Sequence, residues 1–77
     1  MTTERFTLHG RLAPGAFAPW IERHAARIGV SVRFGPRAAT RITFAATGAP
    51  DLLDALEMGC LLGPREVWVE LIDRMPA

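Results

Sequence analysis

Lysine is absent from this chain: all nine basic residues are arginine. With the abundance of alanine, that points to a GC-rich genome and says nothing of function. Cysteine occurs once, as Cys60, so no internal disulfide can form and nothing requires an oxidising compartment. No apolar run approaches the ~18–20 residues of a membrane span. The first residues, Met1-Thr2-Thr3-Glu4-Arg5, lack the basic-then-apolar pattern of a secretory leader. A soluble, cytoplasmic protein is expected, with no membrane partner. Net charge is scarce too: at +1 it marks neither a nucleic-acid binder nor a surface seeking acids.

What is present suits a small folded domain. The chain has 77 residues, 49% of them apolar and 22% charged, and a mean hydropathy of +0.16. A disordered chain would be poorer in apolar residues and richer in net charge. A chain this short buries about 60–65% of the surface its unfolded form exposes, so one core and one domain over residues 1–77 are expected.

The pattern along the chain supplies the elements. Residues 5–10 alternate, Arg5, Thr7 and His9 against Phe6 and Leu8, as in a half-buried strand. From Phe17 the period changes: Phe17, Trp20, Ile21, His24, Ala25 and Ile28 share one face of a helix. Pro19 is tolerable in the first turn, where its missing N–H has no partner to lose. Gly29 ends the helix. Val30, Val32 and Phe34 alternate in a second strand that Gly35-Pro36 breaks. Ile42 and Phe44 mark a third, ending at Gly48. Pro50 opens a second helix with Asp51 near its positive end, Leu52, Leu53, Leu56 and Cys60 as its buried stripe, and Gly63-Pro64 as its stop. Val67, Val69 and Leu71 alternate with Trp68, Glu70 and Ile72 in a fourth strand.

The order βαββαβ comprises two split βαβ units. Right-handed crossovers then put both helices on one face of a four-stranded antiparallel sheet, a ferredoxin-like α+β sandwich with the first and third strands central. Phe6, Leu8, Phe17, Trp20, Ile21, Ile28, Val32, Ile42, Phe44, Leu53, Leu56, Val67, Val69 and Leu71 are the predicted core.

At this point the sequence resembles the acylphosphatase family. The family's first signature, Leu-x-Gly-x-Val-Gln-Gly-Val-x-Phe-Arg, matches the segment Leu8 to Ala18, with Leu8, Gly10, Leu12 and Phe17 in place. Ile28-Gly29-Val30 stands where the family's helix ends in Leu-Gly-Leu or similar. The second signature falls on Val32-Arg33-Phe34-Gly35-Pro36 and onward, Ile42 and Gly48 taking its later Val and Gly without an insertion. Ala55-Leu56-Glu57 through Gly63-Pro64-Arg65-Glu66-Val67 resembles the family's second helix, Gly-Pro turn and fourth strand. The likeness spans residues 5–74, and the chain stops before the additional strand that many acylphosphatases have.

In that family an Arg at the start of the first helix holds the phosphoryl group, backbone N–H groups cradle it, and an Asn orients the attacking water. Here the resemblance puts Ala18 at the Arg position, Pro36 at the Asn position, and Ala13-Pro14 in the cradle. Ala has no charge or donor, and neither proline has an N–H. No catalytic residue is therefore assigned.

Two sites remain as expectations. One is a relocated anion site: Arg11 with the N–H groups of Gly15, Ala16 and Phe17, against the alternative that Arg11, Arg33 and Arg37 are solvated surface residues. The other is the uncovered sheet face, where alternation aims Trp68 and Ile72, rimmed by Arg33, Arg41 and Glu70, as an interface for a protein partner or a second copy. Its alternative is a lone Trp68 tucked under Met75-Pro76-Ala77. His9 and His24 have no ligand-spaced companions, so no metal is expected; His24 reads as a cap on the core's edge and Cys60 as a buried, unreactive thiol. No P-loop, dinucleotide fingerprint or nucleophile triad is present, and no cofactor is expected. The leading expectation is a non-catalytic acylphosphatase-like module binding a protein or a small anion. The alternatives are an acylphosphatase with a rearranged site, and an RNA-binding βαββαβ domain. The last is disfavoured by near-zero net charge and by the lack of paired stacking aromatics.

Overall fold

The computed structural model describes residues 1–77. Its elements are β1 (Thr2–Arg11), α1 (Pro14–Ile28), β2 (Ser31–Ala38), β3 (Arg41–Gly48), α2 (Pro50–Leu62) and β4 (Trp68–Pro76). The sheet order is β2-β3-β1-β4, with every neighbouring pair antiparallel. The βαββαβ order and the central position of β1 and β3 are as the sequence predicts.

β1 and β3 pair without a break from Thr2↔Gly48 to His9↔Arg41, which sets Phe6 opposite Phe44 and Leu8 opposite Ile42. All four side chains are buried, and the two phenyl rings stack with centroids 5.1 Å apart. Phe17, Ile21 and Ala25 of α1 and Leu53, Leu56 and Cys60 of α2 complete the core from above. α1 begins at Pro14, ahead of its apolar periodicity, because proline's fixed φ suits the first helical position. It ends in a Schellman pair: Gly29 N–H donates to Ala26 O and Val30 N–H to Ala25 O, with Gly29 at φ 83°.

Two bulges change the sequence-level picture. In β2, Phe34 faces Phe44 but Arg37 faces Ile42, so Gly35 and Pro36 together oppose Thr43. The expected break at Gly35-Pro36 is thus a bulge within a longer strand. Pro36 fits because β2 is an edge strand, where a bulge needs no N–H from it. In β4, His9 faces Leu71 but Gly10 faces Val69, so Glu70 is the extra residue. Gly10, at φ 150°, makes this approach feasible: a Cβ there would lie 2.1 Å from Trp68 O.

The β4 bulge reverses the strand's alternation. Val67 and Val69 face the helices, but beyond Glu70 it is Ile72 that packs against the core, opposite Leu8. Leu71 turns outward and is 53% exposed. The expectations that Leu71 is core and that Ile72 lies on the open face are both corrected by this one added residue. The other predicted core positions are buried or pack against the core, and Leu12, Ala18, Val30 and Ala46 join them.

Candidate functional site

The loop between β1 and α1 is tied down at its start: Gly10 N–H donates to Thr40 O at 3.2 Å and Leu12 N–H to Ala39 O at 2.9 Å. Leu12 is fully buried. Ala13 then takes a left-handed turn, at φ 41° and ψ 65°, and Pro14 opens the helix. Ala13 O accepts the N–H groups of Ala16, at 2.9 Å, and Phe17, at 3.0 Å. Two of the three N–H groups assigned to an anion are therefore engaged within the helix start. No side chain caps it.

Arg11 is not gathered to that turn. It pairs across from Trp68 and lines a shallow depression on the open face with Trp68 and Glu70. Ala18, which the sequence resemblance sets at the family's Arg position, is only 2% exposed. Pro36 sits exposed in the β2 bulge, and the Arg37 guanidinium lies 5.3 Å from the Phe34 ring centre.

On the open face the register lays residues out in rows across β2, β3, β1 and β4. Arg33, Ala45, Arg5 and Met75 form one row. Arg41, His9 and Leu71 form another, and His9 Nε2 meets Asp73 Oδ2 at 3.2 Å. Arg33, Arg41 and Trp68 stand on this face as expected, Glu70 projects from the bulge, and Ile72 is turned inward. Trp68 is 66% exposed. It is not tucked under the tail, because Met75 and Pro76 belong to β4 and pair with Arg5 and Glu4 at the far end of β1. The large apolar members of the face are therefore Trp68, Leu71 and Met75.

A charged cluster went unseen in the sequence. Arg74, opposite Phe6, faces the helices. Its Nε and Nη2 donate to the two carboxylate oxygens of Glu4 at 3.0 and 2.9 Å, while Nη1 donates to Asp54 Oδ1 and Glu57 Oε1, both at 2.8 Å. The guanidinium also lies 5.0 Å from the centre of the Phe6 ring. The hydrogen bond to Glu4 is the main cause that holds Arg74 firmly protonated, above the ordinary arginine range, and it acts against partial burial. The missing signal was parity: with β4 read unbulged, Arg74 falls on the solvent side. Cys60, on the buried side of α2, has its thiol pushed up to about 12 by burial and then by the charge of Glu57, as befits an unreactive buried thiol.

No helix is long and apolar enough to cross a membrane. No family model matches the chain, and no curated protein matches it significantly. Among solved structures, the acylphosphatase from Bacillus subtilis superposes with a TM-score of 0.88 at 18% identity, over 100% of this chain and 86% of that one. An acylphosphatase from Coxiella burnetii gives 0.88 at 16% identity, over 99% and 80%. At these identities the likeness is one of architecture: this chain is an acylphosphatase-like βαββαβ domain.

Proposed function

We propose that this chain is a non-catalytic acylphosphatase-like module that binds a protein partner, or a second copy of itself, through the open face of its sheet. One observation carries the reading: the two positions that the resemblance assigns to phosphoryl clamping and water positioning hold Ala18 and Pro36. Ala18 is buried among the core-facing residues of α1, with no charge to offer. Pro36 has neither a side-chain amide nor an N–H. Losing one transition-state donor of this kind commonly costs about 10²–10³ in rate. Two such losses leave little of the family's chemistry. Arg11, the substitute clamp suggested by the sequence, shares its depression with the Glu70 carboxylate.

The open face offers what a binding surface needs. Trp68, Leu71 and Met75 are each more than half exposed along β4, and arginines stand on the strands beside them. Interfaces are enriched in such aromatics, methionines and arginines. The test is sedimentation equilibrium and partner capture with Trp68→Ser and Leu71→Ser beside the parent protein. The expected result is folded variants with lost association. Folded variants with unchanged association and unchanged partners would remove this face from consideration.

A further inference from the structure

We infer that the open face carries a phosphate-binding site over Ala45, clamped between Arg5 and Arg33. The register places Arg5 and Arg33 on either side of Ala45, one on β1 and the other on β2. Strands lie about 4.8 Å apart, so the two arginines rise about 10 Å apart with only a methyl group between them. Both are exposed, and neither makes an ion pair or a side-chain hydrogen bond, whereas Arg74 collects three carboxylates.

The next row adds hydroxyls. Thr3, Ser31 and Thr47 line a shallow concavity together with Arg33 and Ala45. Thr3 Oγ1 and Thr47 Oγ1 are 2.8 Å apart, so one hydroxyl donates to the other and the accepting hydroxyl keeps its own proton free to donate. No carboxylate borders this concavity. Glu4, between the two rows, faces the helices and bonds Arg74; the nearest acid on the open face, Asp73, lies in the Thr7 row and is engaged by His9.

The small net charge conceals how charge is divided. Arg5, Arg11, Arg33 and Arg41 stand on the sheet face against Glu70 and Asp73, while Asp51, Asp54 and Glu57 lie on α2 and Glu4 bonds Arg74. The face is cationic and the helix behind it acidic. An anion is drawn to the face, and the chemistry narrows the choice. A carboxylate's two oxygens satisfy one guanidinium fork; a phosphate group has three terminal oxygens and can serve two forks at once. Forks meeting one phosphate from both sides put their guanidinium carbons about 8 Å apart, within reach of two arginines so spaced. The source is either free phosphate or a phosphorylated residue of a partner. The site deepens the open-face reading and rests on it only in taking this face, and not the helix start, as the binding surface.

The test is an amide-NMR titration at constant ionic strength with inorganic phosphate, with a Gly-phosphoserine-Gly peptide, and with acetate. The expected result is a saturable shift of the Thr3, Ala45 and Thr47 amides with both phosphates and none with acetate. Arg5→Gln and Arg33→Gln should each weaken binding by about three- to tenfold, as for charge-assisted hydrogen bonds in an exposed site. Arg27→Gln, on the exposed side of α1, should change nothing. Tighter binding of the peptide identifies a phosphorylated partner as the source, and equal binding identifies the free ion. Shifts that do not saturate, that ignore both substitutions, or that centre on residues 13–17 overturn the site. If Trp68→Ser leaves association intact while phosphate still binds, only the protein-partner reading falls; the converse result removes only this site.

Discussion

Gly59 of α2 lies directly against His24 of α1: a Cβ built on Gly59 would fall 2.3 Å from His24 Nε2. The imidazole is stacked on Trp20, with ring centres 5.0 Å apart and planes 9° apart, so it cannot swing freely away. A mid-helix glycine normally costs about 1 kcal/mol against alanine. Here it sets how closely the two helices meet.

That contact predicts a sign change. Gly59→Ala should destabilise the protein by about 1–3 kcal/mol, the usual cost of overpacking. In a His24→Ala background the same substitution should be neutral or stabilising, because only helix propensity then remains. Urea unfolding of the four proteins in this cycle measures it. Additive effects would show that the helices are not limited by this pair.

Gly10 is held to a second close approach, beneath the carbonyl of Trp68. Gly10→Ala should cost about 2–3 kcal/mol or prevent folding, because the β4 bulge cannot form around a methyl group. Thermal and urea unfolding check this. A loss below about 0.5 kcal/mol, the range of ordinary surface substitutions, would contradict the bulge.

The Arg74 cluster joins β4, β1 and α2. Arg74→Met keeps the apolar stem over Phe6 but leaves Glu4, Asp54 and Glu57 facing one another. With the Arg74 side chain 18% exposed, the loss falls between surface and buried pairs, at about 2 kcal/mol. A change within about 0.5 kcal/mol would make the cluster a solvated feature.

Cys60 gives the stability an alkaline limit. Its thiol is raised from an ordinary 9.0 to about 12 in the folded state. Above 9.0 the unfolded chain releases this proton while the folded chain keeps it, so the unfolded state binds fewer protons and stability falls as pH rises. The slope approaches about 1.4 kcal/mol per pH unit through that window and vanishes below it. The chain has no lysine or tyrosine to titrate alongside. Unfolding at pH 7.5, 9 and 10 should show the slope in the parent and a flatter profile in Cys60→Ala. Parallel profiles would contradict the assignment.

Most of this fold was legible because alternation and helical period locate an element without needing its neighbours. Phe6, Phe44, Leu53 and Leu56 needed no more than that. β4 was misread from Leu71 onward because a bulge adds one residue, and its cause, the fit of Gly10 under Trp68 O, lies on another strand nearly sixty residues away. Ile72 and Leu71 exchanged faces together, and the same added residue turns Arg74 toward the helices, where it is the centre of a charge cluster. The relation of Arg5 to Arg33 was equally hidden, since it depends on the register of three strands. The assignment of Ala18 and Pro36 to the family's catalytic positions, by contrast, rests on the linear resemblance alone.

The most direct measurement is hydrolysis of benzoyl phosphate by the purified protein, beside an active acylphosphatase and buffer alone. The expected rate equals that of buffer, because neither Ala18 nor Pro36 can clamp a phosphoryl group or position a water. Turnover that saturates with substrate and falls in Arg11→Ala would contradict this, and would make the chain an acylphosphatase with a relocated clamp.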